Sequence, residues 1–105
     1  LGPGLLESVY EKALMYELTQ KGFKVERQVP IKVLYKGIEL GEVYRIDLLV
    51  DGKVIIEIKS VGELSPVHFK QLMTYLKLQN LRYGYLINFD VTMLKDGIHR
   101  VLNGY

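Results

Sequence analysis

Residues Tyr44–Ser60 read YRIDLLVDGKVIIEIKS. Two apolar runs joined by Asp51-Gly52 predict a β-hairpin, because Asp-Gly between hydrophobic segments is a strong turn signal. In the second run Val54, Ile55, Ile56 and Ile58 place apolar side chains on both faces, so this strand is expected inside a sheet covered on two sides. Glu57 and Lys59 are set into it. A carboxylate left unpaired among isoleucines would cost roughly several kcal/mol or lose its charge, so Glu57 calls for a cation.

Lys59 shares the face of Glu57 by the two-residue period of a strand, and Asp47 joins them only in certain registers. If the turn held only Asp51 and Gly52, Val50 would pair with Lys53 and Asp47 with Ile56, sending the two acids to opposite faces. With a three-residue loop, and Gly52 left-handed in a bulged type I turn, odd positions meet odd positions and the three charges converge. The three-residue loop is the expectation. A lone ExK tripeptide is most simply a structural ion pair on a half-exposed strand, but the apolar flanks argue against that here. Two acids and a lysine at a strand end suit a divalent cation: carboxylate oxygens are hard ligands for Mg²⁺, and the ammonium can hold or polarise a water. Phosphodiester hydrolysis is the chemistry that such a group serves.

At 105 residues and 49% hydrophobic content, residues 1–105 are expected to form one compact domain around one core. There is no cysteine, which excludes disulfides and a thiolate zinc site and fits a reducing, cytoplasmic location. The apolar runs are too short to span a bilayer, and no signal peptide is visible. The chain starts at Leu1 without a methionine, so an upstream segment is expected to be missing. A net charge of +2 permits a nucleic-acid partner but falls well short of a dedicated basic binding module.

Gly2-Pro3-Gly4 is read as a breaker. From Leu5 the apolar positions Leu5, Leu6, Val9, Tyr10, Ala13, Leu14 and Leu18 recur at helical spacing to about Lys21, with Gly22 as the cap. Glu7 falls in the first turn of this helix, where the helix dipole alone would account for an acid. Phe23–Tyr35 reads as a strand in which Pro30 marks an edge or a bulge. Lys36-Gly37 is a turn, and Ile38–Leu40 extends the meander. Ser65-Pro66 caps a second helix that runs to about Asn80, with Phe69, Leu72, Met73 and Leu76 for packing and His68, Gln71 and Tyr75 on one face. His68 is read as structural. Tyr83–Phe89 is an apolar strand expected to pair parallel to the ExK strand through a right-handed crossover. Lys95-Asp96-Gly97 is a turn before a short edge strand, Ile98–Leu102, whose His99 and Arg100 are read as ordinary exposed residues.

Asp47 followed by Glu57-Ile58-Lys59 after a hairpin resembles the PD-(D/E)xK nuclease superfamily. Gly4-Leu5-Leu6-Glu7-Ser8-Val9-Tyr10 matches the GxxExxY motif of a family placed within it, and Gln71-Leu72-Met73-Thr74-Tyr75 fits the QxxxY motif of its RecB-like members. The resemblance spans Gly4 to about Leu102. It implies an α/β, restriction-endonuclease-like core, in which a central mixed sheet with antiparallel hairpins is flanked by two main helices in the order α-β-β-β-α-β-β. The helix that the family carries upstream is expected to be absent here, which would leave one end of the sheet less covered. The resemblance also implies a metal-dependent nuclease in which Asp47, Glu57 and the carbonyl of Ile58 hold Mg²⁺ or Mn²⁺. Glu7 would add a ligand, Lys59 would serve the attacking water, and Gln71 and Tyr75 would orient the site. Nucleic acid is the implied substrate, DNA before RNA, with a homodimer or protein partner open. The alternative is a catalytically silent nuclease-fold domain that binds nucleic acid or protein.

Overall fold

The structure, a computed structural model, describes residues 3–104, and the side chains of all of these except 3–5, 42 and 43. The elements are α1 (Pro3–Gln20), β1 (Val25–Tyr35), β2 (Ile38–Val50), β3 (Val54–Lys59), α2 (Pro66–Gln79), β4 (Tyr83–Asn88), a 3₁₀ turn (Leu94–Gly97) and β5 (Ile98–Leu102). The strands form one five-stranded mixed sheet in the order β1-β2-β3-β4-β5. The β3–β4 pairing is parallel, across the α2 crossover, and the other pairings are antiparallel. This is the expected α/β core in the expected element order.

β3 is the middle strand, and each of its faces is covered. Ile55 packs with Leu72, Tyr75 and Leu76 of α2, whereas Ile56 and Ile58 pack where Tyr10, Leu14, Met15 and Leu18 of α1 close the other side. Pro30 lies on β1, an edge strand, which has the unpaired side that a residue without an N–H requires.

The hairpin loop has three residues, since Val50 pairs with Val54. Its turn differs from the bulged type I form, because both Asp51 (φ 53°) and Gly52 (φ 65°) are left-handed. Asp51 is held there from outside the hairpin. Its N–H donates to the Lys24 carbonyl at 2.7 Å, and its carboxylate accepts the Lys24 N–H at 2.9 Å.

Three local expectations shift. α1 starts at Pro3, because proline is tolerated in a first helical turn; Glu7 therefore stands beyond that turn, and the dipole does not explain it. Of the expected stripe, Leu5 lies outside the described side chains, Val9 and Ala13 face solvent, and Glu7, Glu11 and Met15 turn inward instead. β2 is one continuous strand from Ile38, longer than the run that begins at Tyr44. α1 ends as read: Gly22 (φ 95°) follows it, the Gly22 N–H donates to Thr19 and the Phe23 N–H to Leu18, closing the last turn. Among the described residues no helix is long and apolar enough to cross a membrane.

Candidate active site

The feature that makes a site is a change of face along β2. Ile46 packs with the α2-side cluster, but Leu48 and Val50 pack on the α1 side. Two residues of equal parity thus lie on opposite faces, so the strand twists over between them without a change of register. β1 does the same beside it. Val25 packs on the α1 side and Val29 and Ile31 on the α2 side, with Gln28 left-handed (φ 55°) between them and set between the register pairs Arg27–Leu48 and Val29–Ile46.

The β2–β3 ladder closes from Val50–Val54 to Leu48–Ile56 and then opens into a fork. Side chains replace the missing ladder bonds. The Asp47 N–H donates to Glu57 Oε2 at 2.7 Å, and the Ile58 N–H donates to Asp47 Oδ2 at 2.8 Å. Asp47 and Glu57 therefore stand side by side, as the three-residue loop requires, each acid tied to the opposing strand's backbone or side chain.

The electrostatics follow from crowding. Burial raises the pKa of Glu57, and the neighbouring charge of Asp47 raises it further, to about 8, against the lowering effects of the Asp47 N–H and of Lys59. Asp47 is raised too, by burial first and then by Glu11, while the Ile58 N–H, Lys59 and Gln28 pull it down. Lys59 is close enough to lower both, yet among the described residues no ion pair within 4 Å joins it to either acid. The simple Glu57–Lys59 ion pair is thus not formed, and the site is short of positive charge. Two hard carboxylates in that state fit a divalent cation as counter-charge.

The helix acids divide their work. Glu7 lies at the far end of β3, where its Oε2 accepts the Ser60 N–H at 3.1 Å. Among the described residues no three Asp, Glu or His side chains converge as a ready metal cage. Glu11, one helical turn on, is 4% exposed and is bound by Arg27 (3.1 Å) and by Gln28 (3.1 Å to each oxygen). Sequence reading missed Glu11; its signal was its place four residues from Glu7 and three from Leu14, on the stripe that packs inward. Tyr10 stacks on Phe89 at 4.5 Å and pins α1 against the end of β4.

Gln71 and Tyr75 lie on the α2 side. Tyr75 is buried against the core, and its hydroxyl is pushed up to about 12 by burial, then by the charges of Glu57 and Asp47, so it stays a phenol donor. With Gln71, Tyr44, Val67, Lys70 and Thr74 it lines a groove of about 290 Å³. His68 is structural, as read: its Nδ1 accepts the Ser65 N–H at 3.1 Å at the start of α2. His99 is not simply exposed but packs edge-on to Phe69.

Asn88 was also missed, for it is one polar residue in an apolar strand. It is buried opposite Lys59, and its amide clamps the chain that follows: Oδ1 accepts the Val61 and Asp90 N–H groups, and Nδ2 donates to the Val61 carbonyl at 2.9 Å.

Comparison with known proteins bears on the fold. The description of the PD-(D/E)XK nuclease superfamily matches residues 1–101. The chain belongs to the PD-(D/E)XK nuclease superfamily. Among solved structures it is similar to the crystal structure of SSO0001, with a TM-score of 0.68 at 19% identity over 97% of this chain, a likeness of fold. The chain spans about half of that protein, 52% of its length. A search of curated proteins gives no match.

Proposed function

We propose that this chain is a metal-dependent nuclease that hydrolyses phosphodiester bonds in nucleic acid, DNA before RNA, and that it is of the GxxExxY kind on the strength of Gly4, Glu7 and Tyr10. One observation carries the reading. Asp47 and Glu57 meet where β2 and β3 part, each engaged with the opposing strand, with Lys59 near enough to influence both.

Asp47, Glu57 and the carbonyl of Ile58 would hold Mg²⁺ or Mn²⁺, and Glu7 would add a ligand through water. When bound, such an ion supplies Lewis acidity to the phosphate and acidifies a water. Lys59 would align the attacking water, favour loss of its proton through its own positive charge, and steady the negative charge that grows on the phosphate oxygens. Gln71 and Tyr75, on the α2 side of the sheet, would position Lys59 and the nucleic-acid strand. The groove lined by Tyr44, Lys70, Gln71 and Tyr75 would take the strand, and Tyr75, which feels the charges of Glu57 and Asp47, links it to the acids.

A second reading, a nuclease-fold domain that binds nucleic acid or protein without cleaving it, is favoured by Glu7, which is engaged with the Ser60 N–H rather than with the acid pair. Labelled single-stranded, duplex and branched DNA and RNA, incubated with Mg²⁺ or Mn²⁺, separate the two. Cleavage that disappears in Asp47→Ala and in Lys59→Ala supports the nuclease. Cleavage that survives in Lys59→Ala points to a contaminant, and metal-dependent stabilisation without cleavage supports the binding module.

A further inference from the structure

We infer that Gln28 is a positioning residue of the acid pair: its amide, anchored on Glu11, sets the direction in which Asp47 presents its carboxylate to the fork. Its importance to catalysis rests on the nuclease reading above; its geometry does not.

The Gln28 Nε2 stands 3.1 Å from both oxygens of Glu11 and 3.2 Å from Asp47 Oδ1. An amide nitrogen carries two protons, so one serves Glu11 and the other Asp47, and the donor is used in full. Asp47 is then gripped at both oxygens by donors from two different strands, Oδ1 by Gln28 of β1 and Oδ2 by the Ile58 N–H of β3. A carboxylate held at both oxygens has one plane and one set of lone pairs to offer, which is what a ligand to a hard cation needs from its supporting shell. The anchor is itself fixed, because Glu11 is buried and accepts a second donor, Arg27, at 3.1 Å.

The backbone supports the same assignment. Gln28 adopts φ 55°, a region that residues other than glycine seldom occupy. The twist carries Arg27 to the α1 side, where it meets Glu11, and Val29 to the α2 side, where it joins the core. Between them the Gln28 side chain reaches a helix acid and a strand acid at once. A conformation of this kind persists only where its surroundings hold it, and the two acids do so. The first helix thus touches the acid pair through Glu11 and Gln28, and touches the end of β3 separately through Glu7 and Ser60.

Two variants of the full chain test this. Gln28→Gly accepts the left-handed backbone and removes the amide; Gln28→Met keeps the length of the side chain without a donor. The first readout is amide hydrogen exchange without metal, comparing Ile58, whose N–H binds Asp47, with Ile56 in the paired part of β3. Both variants are expected to exchange at least about 10-fold faster at Ile58 with Ile56 unchanged, and their Mn²⁺ affinity to fall by about 10- to 100-fold. Gln28→Gly, which relieves the left-handed backbone, should melt higher than Gln28→Met, which keeps it. Unchanged exchange at Ile58 overturns the assignment, as does equal loss of protection at Ile56, which would make the amide a general support of the fold. If Ile58 responds but the wild type neither binds Mn²⁺ nor cleaves nucleic acid, the nuclease reading fails and the positioning of Asp47 by Gln28 stands.

Discussion

Replacing Glu57 by glutamine should turn a pH-dependent protein into a nearly pH-independent one over the range in which most enzymes are assayed. In the folded chain the Glu57 carboxyl is raised from 4.5 to about 8 by burial and by Asp47. The unfolded chain releases that proton near 4.5, so between these values the native state binds one proton more than the unfolded state. Stability must therefore fall as pH rises through this window, and the loss is complete above the folded value. The interval is about 3.5 pH units at about 1.36 kcal/mol each, on the order of 5 kcal/mol. That is as large as the whole stability of a weak domain, roughly 5–15 kcal/mol. Glutamine keeps the shape and the oxygen that accepts the Asp47 N–H but has no proton to lose. Urea denaturation in EDTA at pH 5, 6.5 and 8 should show the wild type weakening by a few kcal/mol and Glu57→Gln remaining nearly level, so that the variant is the more stable at pH 8. Added Mg²⁺ should restore the wild type at pH 8 and do much less for the variant, since only the charged pair gains from the cation. Parallel pH profiles for the two proteins would refute the account, for they would mean that Glu57 is not held above its ordinary range in the fold.

Other substitutions probe the same scaffold. Lys59→Met removes the cation that lowers both acids, so the alkaline decline in stability should extend to higher pH, read by the same denaturation series, and cleavage should be abolished. Asn88→Ala leaves the Val61 N–H and carbonyl without their clamp, and a loss of about 1–3 kcal/mol is expected by thermal or urea unfolding. Gly97→Ala places a methyl group against the Asn88 carbonyl oxygen, a backbone atom that cannot swing aside; a loss of at least about 2 kcal/mol should be seen in the melting temperature.

Much of this molecule is legible in the order of its residues. The isoleucines of Val54–Ile58 demand cover on both faces and make β3 central. Asp51-Gly52 places the hairpin, and the parity of Asp47 and Glu57, with the three-residue loop, puts the two acids together. Ser65-Pro66 opens α2, and the apolar run after it must return parallel to β3. All of these rest on short-range rules: what a strand alternates, what a turn admits, what a helix start prefers. The tertiary structure decided the remainder. Which acid of α1 faces the fork depends on how the helix is rotated about its own axis when it docks, so Glu11 was overlooked and Glu7 was tied to the backbone of Ser60, 53 residues away. The switch of faces at Gln28 and Asp47, and with it the opening of β2 from β3, breaks the period on which sequence reading relies. It holds because side chains from the helix and both strands satisfy the backbone there, and contacts of that range leave no trace in any local pattern of residues.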